Sequence, residues 1–244
     1  MSQTIVLLHG FSGTARAWDR VVSQLDPERY RPAAVDLRGH GRTSDRRPIT
    51  FGACVRDVVD QAPRRFVLAG YSMGGRIALQ VALAHPDRVE RLVLVSTTAG
   101  IANASERRQR RRDDEALARR IEEQGMEAFA RSWGSQALFG GQTPDVVAEA
   151  YADRMRNRAD GLAAALRGLG AGAMEPLWDR LGELAMPVTA LAGERDAKYC
   201  EIAGRLAAGV GVGDGRLVVV AGAGHAVHLE TPDAVVAALD RALR

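Results

Sequence analysis

Six short apolar runs punctuate the chain: TIVLLH (4–9), RPAAVD (31–36), RFVLAGY (65–71), RLVLVS (91–96), PVTALAG (187–193) and RLVVVA (216–221). Most are continuously apolar rather than alternating, as expected of strands covered on both faces. Helical spacing of apolar residues appears between or after them, near 15–25, 50–61, 73–84, 197–208 and 232–243. This alternation predicts an α/β chain, a mostly parallel six-stranded sheet flanked by helices. Between Ser96 and Pro187 the alternation stops. That interval has helical stretches and no strand pattern, and it is too long for a loop. It is expected to form a helical cap, residues 100–186, over the sheet's carboxyl edge, with 1–99 and 187–244 as the core. A chain of 244 residues can bury such a core.

In an open parallel sheet, ligands bind beyond the carboxyl ends of the strands. The conspicuous residues collect there: His9-Gly10-Phe11, the loop Asp36 to Gly41, Gly70-Tyr71-Ser72-Met73-Gly74, the loop Gly193 to Lys198, and Gly222-Ala223-Gly224-His225. A serine becomes a strong base or nucleophile only when a histidine takes its proton, and that histidine needs a carboxylate to fix its tautomer. Ser72, Asp196 and His225 follow strands in the order Ser…Asp…His. Glycines on both sides of Ser72 permit a sharp turn that exposes its hydroxyl. The backbone N–H groups of Phe11 and Met73 are then the expected oxyanion donors. Of the five histidines, only His225 has the position a general base requires. His9 is expected to shape its turn, and His40 to pack a loop tied down by Asp36 and Arg38. His85 reads as a helix C-terminus, and His228 as a residue that either touches the pocket or buttresses it. Arg76 raises a separate question: a pocket for neutral acyl groups has little use for a cation one helical turn behind the serine.

Composition excludes other classes of function. Hydrophobic residues make up 46% and charged residues 26%, as in an ordinary globular protein. The net charge is +3, and of 33 basic residues 32 are arginine, with Lys198 the only lysine. The arginine-rich stretch 106–123 has seven arginines but six acids, so a solvated helix face fits it better than a nucleic-acid patch. Cys54 and Cys200 make no disulfide framework and show no metal-ligand spacing, so neither a metal nor a structural zinc is expected. The first apolar run lacks a basic flank and is too short for a signal peptide or a membrane span. A cytoplasmic protein with no membrane partner is expected.

With these motifs in view, the chain resembles the α/β-hydrolase superfamily over nearly its whole length. Within it, the chain is similar to the 2-succinyl-6-hydroxy-2,4-cyclohexadiene-1-carboxylate synthases of menaquinone biosynthesis. LLHGFSGTARAW, GYSMGGRIAL, NRADGLAAALRGLGAG, GERDAKY and GAGHAVHLE carry the resemblance. It implies an α/β-hydrolase fold and a lyase without a cofactor, in which Ser72 acts as a base and pyruvate leaves. The substrate has three carboxylates, so a small-molecule polycarboxylate is the expected partner, bound by a monomer or weak homo-oligomer. The resemblance further implies Tyr71, Arg76, Arg110, Trp133 and Arg154 as substrate-binding residues, with Arg107 and Arg111 as the alternatives to Arg110. Lys198 fits either a further pocket cation or a surface residue. Two features depart from the family: no antiparallel hairpin precedes the first run, and DLRGHG stands where DLPGHG is common. A serine carboxylesterase with the same triad is the competing reading, and a non-catalytic binding protein a third.

Overall fold

The computed structural model describes residues 2–211 and 213–240. Its strands are β1 (Gln3–Leu8), β2 (Tyr30–Val35), β3 (Phe66–Tyr71), β4 (Val89–Val95), β5 (Val188–Gly193) and β6 (Gly215–Val220), each within two residues of its apolar run. They pair in the order β2-β1-β3-β4-β5-β6, all parallel. The helices are α1 (Asp19–Val22), α2 (Phe51–Gln61), α3 (Met73–Ala84), α4 (Ala104–Gly134), α5 (Pro144–Arg154), α6 (Ala159–Leu169), α7 (Ala197–Gly209), α8 (Val227–Glu230) and α9 (Pro232–Asp240). Residues 241–243 of the last expected helix lie outside the described residues.

Successive strand residues point to opposite faces, and the core divides accordingly. Val6, Leu8, Leu68, Leu92 and Ala190 pack with α2, α3 and α7. Ile5, Leu7, Val67, Val93 and Leu191 pack with Trp18, Val21 and the apolar side of α9. The central strand β3 is buried at every position, whereas edge strand β6 leaves Leu217 and Val219 exposed. The helix expected over 15–25 is shorter than its pattern. A 3₁₀ turn (Ala15–Trp18) leads into α1, after which Gln24 and Leu25 close tighter bonds to Val21 and Val22. This tightening tucks Leu25 into the core before Pro27 ends the segment.

Helices α4, α5 and α6 fill the interval between β4 and β5, where no strand was expected. Ala118, Ile121 and Phe129 of α4 meet Leu162, Ala163 and Leu166 of α6 in a separate apolar cluster, with Phe11 and Trp133 packed against it. Helix α4 breaks at Gly125, whose φ of 78° suits glycine. On its exposed side Arg119–Glu115 pairs one turn apart, as the interleaved charges suggested, whereas the Arg110–Asp114 pair has its carboxylate buried. Cys54 is buried and Cys200 half-buried, both as free thiols. Among the described residues, no helix is long and apolar enough to cross a membrane.

Candidate active site

The strand order reverses at β1, with β2 on one side and β3 on the other. The loops leaving β1 and β3 therefore diverge and open a crevice between them. Ser72 stands in it, on the step from β3 to α3. Its backbone is left-handed, with φ 49° and ψ −108°, a conformation that costs on the order of 1–3 kcal/mol unless its surroundings hold it. Ser72 N–H donates to Val95 O at 2.9 Å, and Thr97 Oγ1 donates to Ser72 O at 2.6 Å. The turn has no room for side chains on either flank. A Cβ on Gly70 would lie 2.5 Å from Gly74 O, and one on Gly74 would lie 2.2 Å from Leu8 O. The expected exposure of the serine by its glycines is thus a consequence of three elements crossing at contact distance.

His225 Nδ1 lies 2.6 Å from Asp196 Oδ2, and its Nε2 lies 3.4 Å from Ser72 Oγ. The carboxylate holds the proton on Nδ1, which leaves Nε2 free to accept from the serine. The longer second contact is the loose spacing common before substrate tightens a site. Asp196 also caps α7, accepting Tyr199 N–H at 3.3 Å. The loop that carries His225 is gripped from below by Glu230. This carboxylate accepts Gly224 N–H at 2.8 Å and Ala226 N–H at 3.2 Å, and pairs with Arg195 at 2.6 Å.

The loop after β1 faces Ser72. His9 is wholly buried; its Nε2 accepts Leu37 N–H at 3.0 Å, so Nδ1 carries the proton and donates to Gly10 O at 2.8 Å. It shapes the turn, as expected. His40 packs edge-on to His9 and Phe11, while Asp36 accepts Ala15 N–H and Arg38 forms a two-pronged pair with Asp57. His85 ends α3. His228 does both things expected of it: it stacks 4.0 Å from Tyr71 and lines a cavity. Among the described residues, neither Phe11 N–H nor Met73 N–H donates to a protein acceptor.

Two cavities meet at Phe11, Tyr71, Trp133 and Phe139. One, of about 170 Å³, contains Ser72, His225, Met73, Arg76, Arg110 and Tyr199. The other, of about 240 Å³, contains Arg154, His228 and the loop Gly10–Gly13. Arg76 is buried, makes no ion pair among the described residues, and leaves Nη1 without a partner. Burial pulls its guanidinium down to about 10, still charged at neutral pH. Arg154 is likewise buried, 5.5 Å over the Phe139 ring. Arg110 enters the first cavity held by Asp114 at 2.7 Å, whereas Arg107 bonds Ile101 O and Arg111 lies on another surface. Lys198 is not brought in: it is exposed, outside the linings of both cavities. Of its two readings, the surface residue holds.

Tyr199, Thr97, Phe139 and Glu230 were not foreseen in these positions. Tyr199 packs 4.6 Å from the His225 ring, and burial raises its phenol above the ordinary range. Its signal was present, since it lies three residues after Asp196 on one helix face. Phe139 sits on a 3₁₀ turn between α4 and α5 with no pattern to mark it. Among the described residues, no three His, Cys, Asp or Glu side chains gather to hold a metal ion.

Residues 5–238 match the alpha/beta hydrolase family. A relative from Bacillus subtilis (strain 168), which carries the 2-succinyl-6-hydroxy-2,4-cyclohexadiene-1-carboxylate synthase name provisionally, is 36% identical over 95% of this chain and 86% of its own. The synthase of that name from Escherichia coli O1:K1 / APEC is 32% identical over 98% of this chain and 93% of its own. Among solved structures, MenH from S. aureus superimposes with a TM-score of 0.91 at 29% identity, covering 99% of this chain and 93% of that one.

Proposed function

The chain belongs to the alpha/beta hydrolase family, in the group of its 2-succinyl-6-hydroxy-2,4-cyclohexadiene-1-carboxylate synthases, and from that premise we propose a cofactor-independent lyase. Its substrate is 2-succinyl-5-enolpyruvyl-6-hydroxy-3-cyclohexene-1-carboxylate, from which it eliminates pyruvate. The proton to be lost sits on the ring carbon that bears the succinyl group, next to a ketone. Ser72 Oγ takes that proton while its own passes to His225 Nε2, and Asp196 holds the imidazole in place. The ring double bond shifts, the carbon–oxygen bond to the enolpyruvyl group breaks, and pyruvate leaves as its enolate to be protonated on carbon. Negative charge that gathers on the ketone oxygen meets Phe11 N–H and Met73 N–H. No carbonyl is attacked, so no acyl-enzyme forms.

The observation that carries this reading is Arg76. A buried cation with an unsatisfied nitrogen is costly, and evolution retains one where a ligand supplies the anion. The substrate has three carboxylates, and Arg76, Arg110 and Arg154 offer three guanidinium forks around the walls shared by the two cavities. Tyr71 and Trp133 provide apolar wall for the ring. An esterase acting on neutral acyl groups would leave the buried Arg76 without an anionic partner. A small charged substrate also suits an enzyme free in the cytoplasm, acting without nucleic acid or membrane.

The test measures pyruvate release from the cyclohexene substrate beside hydrolysis of a short p-nitrophenyl ester. Rapid pyruvate release with slow ester cleavage, and no Ser72 adduct by mass spectrometry of quenched turnovers, is the expected result. Fast ester turnover through a stoichiometric acyl-Ser72, with no pyruvate released, would replace the lyase by a serine hydrolase.

A further inference from the structure

The end of α5 does more than carry Arg154. Asp153, beside it, is buried and reaches across to the loop that leaves β1, where Oδ2 accepts Thr14 N–H at 2.8 Å and Oδ1 accepts the Thr14 hydroxyl. Asn157, one turn further, donates from Nδ2 to Ser12 O at 2.8 Å and to Arg154 O at 3.1 Å. Its Oδ1 accepts Gly41 N–H at 3.0 Å, so the amide is engaged at both ends. Ser12, between these anchors, has a φ of 66°, a strained setting for a residue with a side chain.

His9 and Asp36 fix the two ends of this loop from the sheet side, at Gly10 O and Ala15 N–H. Asp153 fixes its middle from the end of α5, and Asn157 from the turn between α5 and α6. We propose that Asp153 and Asn157 are positioning residues that hold the oxyanion loop in register, so that Phe11 N–H is aligned with Ser72 only while the end of α5 is seated. The same segment places Arg154 in the second cavity, so one element sets a substrate cation and an oxyanion donor together. This rests on Phe11 N–H being an oxyanion donor, as in the reading above.

Asp153→Ala leaves the Thr14 N–H and hydroxyl without their acceptor, and Asn157→Leu removes both ends of the second anchor. Each should lower kcat about tenfold or more, on pyruvate release and on p-nitrophenyl acetate alike, with KM for the polycarboxylate changed less than about threefold. Thr14→Ser keeps the hydroxyl and should retain the parent rate, whereas Thr14→Val should not. Hydrogen exchange of the 9–14 segment should quicken in the Asp153 and Asn157 variants while that of β3 and α3 stays as in the parent. Raised KM or a lower melting temperature with kcat and loop exchange intact would overturn the proposal and make both residues mere glue between α5 and the core. If the parent cleaves the ester but releases no pyruvate, the lyase reading fails and the ester kcat still judges the anchors. If it turns over neither substrate, unchanged loop exchange alone overturns them.

Discussion

Arg76 lies four residues after Ser72, one turn along the same side of α3, and this spacing ties the cation to the serine. A charge-assisted bond to a substrate carboxylate is worth roughly 1.5–3 kcal/mol, so Arg76→Ala should lower kcat/KM about ten- to a hundredfold. Arg76→Lys should recover only part of this, because an ammonium cannot reproduce the two-pronged fork. Melting temperature and ester turnover should hold in both variants; equal losses on both substrates with a lower melting temperature would make Arg76 a structural residue. For Ser72 and His225 the expectation is non-additivity. Either alanine variant should cost several orders of magnitude in pyruvate release, and the double variant little more, since the two pass one proton. Steady-state rates of the three variants would show additive losses if the serine and histidine acted separately.

At the scale of elements, α6 is held to the core by glycines. A Cβ on Gly168 would lie 2.0 Å from Ile49 O, and one on Gly161 would lie 2.6 Å from Gly39 O. Gly168→Ala must push α6 outward, and overpacking of this kind costs roughly 1–3 kcal/mol. Because Ala165, Leu166 and Leu169 of α6 line the Ser72 cavity, the shift should also raise KM. Thermal melts and substrate saturation curves check both effects against Gly182→Ala, where an added Cβ meets nothing within 4 Å. The central strands β1, β3, β4 and β5 were legible in the sequence because a strand buried on both faces needs an unbroken apolar run, and helix α3 because its apolar spacing follows directly. The break at Gly125 was not, since one glycine in a charged helix carries no periodic signal. Lys198 and Tyr199 show the same limit within a single turn. From Asp196, three residues return a side chain to the same face and two turn it away, so Tyr199 points in and Lys198 out. The meeting of Ser72, His225 and Asp196 was readable from the glycine-flanked serine together with loop order, whereas Asp153, Asn157 and Glu230 act through contacts between distant segments that no local pattern records.

For the whole molecule, the buried histidines should set the acid limit. His40 and His228 are wholly enclosed, and burial drags each from its ordinary 6.5 to about 3, with neighbouring histidines adding to the shift. Both stay neutral in the fold down to about pH 3, while the unfolded chain protonates them below about 6.5. The unfolded state therefore holds more protons throughout that window, and stability falls as pH falls through it; above 6.5 the contribution is complete. Two such groups give a slope of about 2–3 kcal/mol per pH unit well inside the window. His9, lowered by the same cause, adds to it. Melting temperature should thus be level from pH 8 to 7 and drop steadily from 6.5 to 5. His228→Phe keeps a ring between Tyr71 and Trp18 while removing a buried nitrogen that has no partner, so its acid limb should be shallower than the parent's. His40→Gln should flatten the limb similarly, though at a lower starting stability because the edge contacts with His9 and Phe11 are lost. Acid limbs parallel to the parent's in both variants would mean that the fold takes up these protons at no cost, and that the acid limit is set by the carboxylates instead.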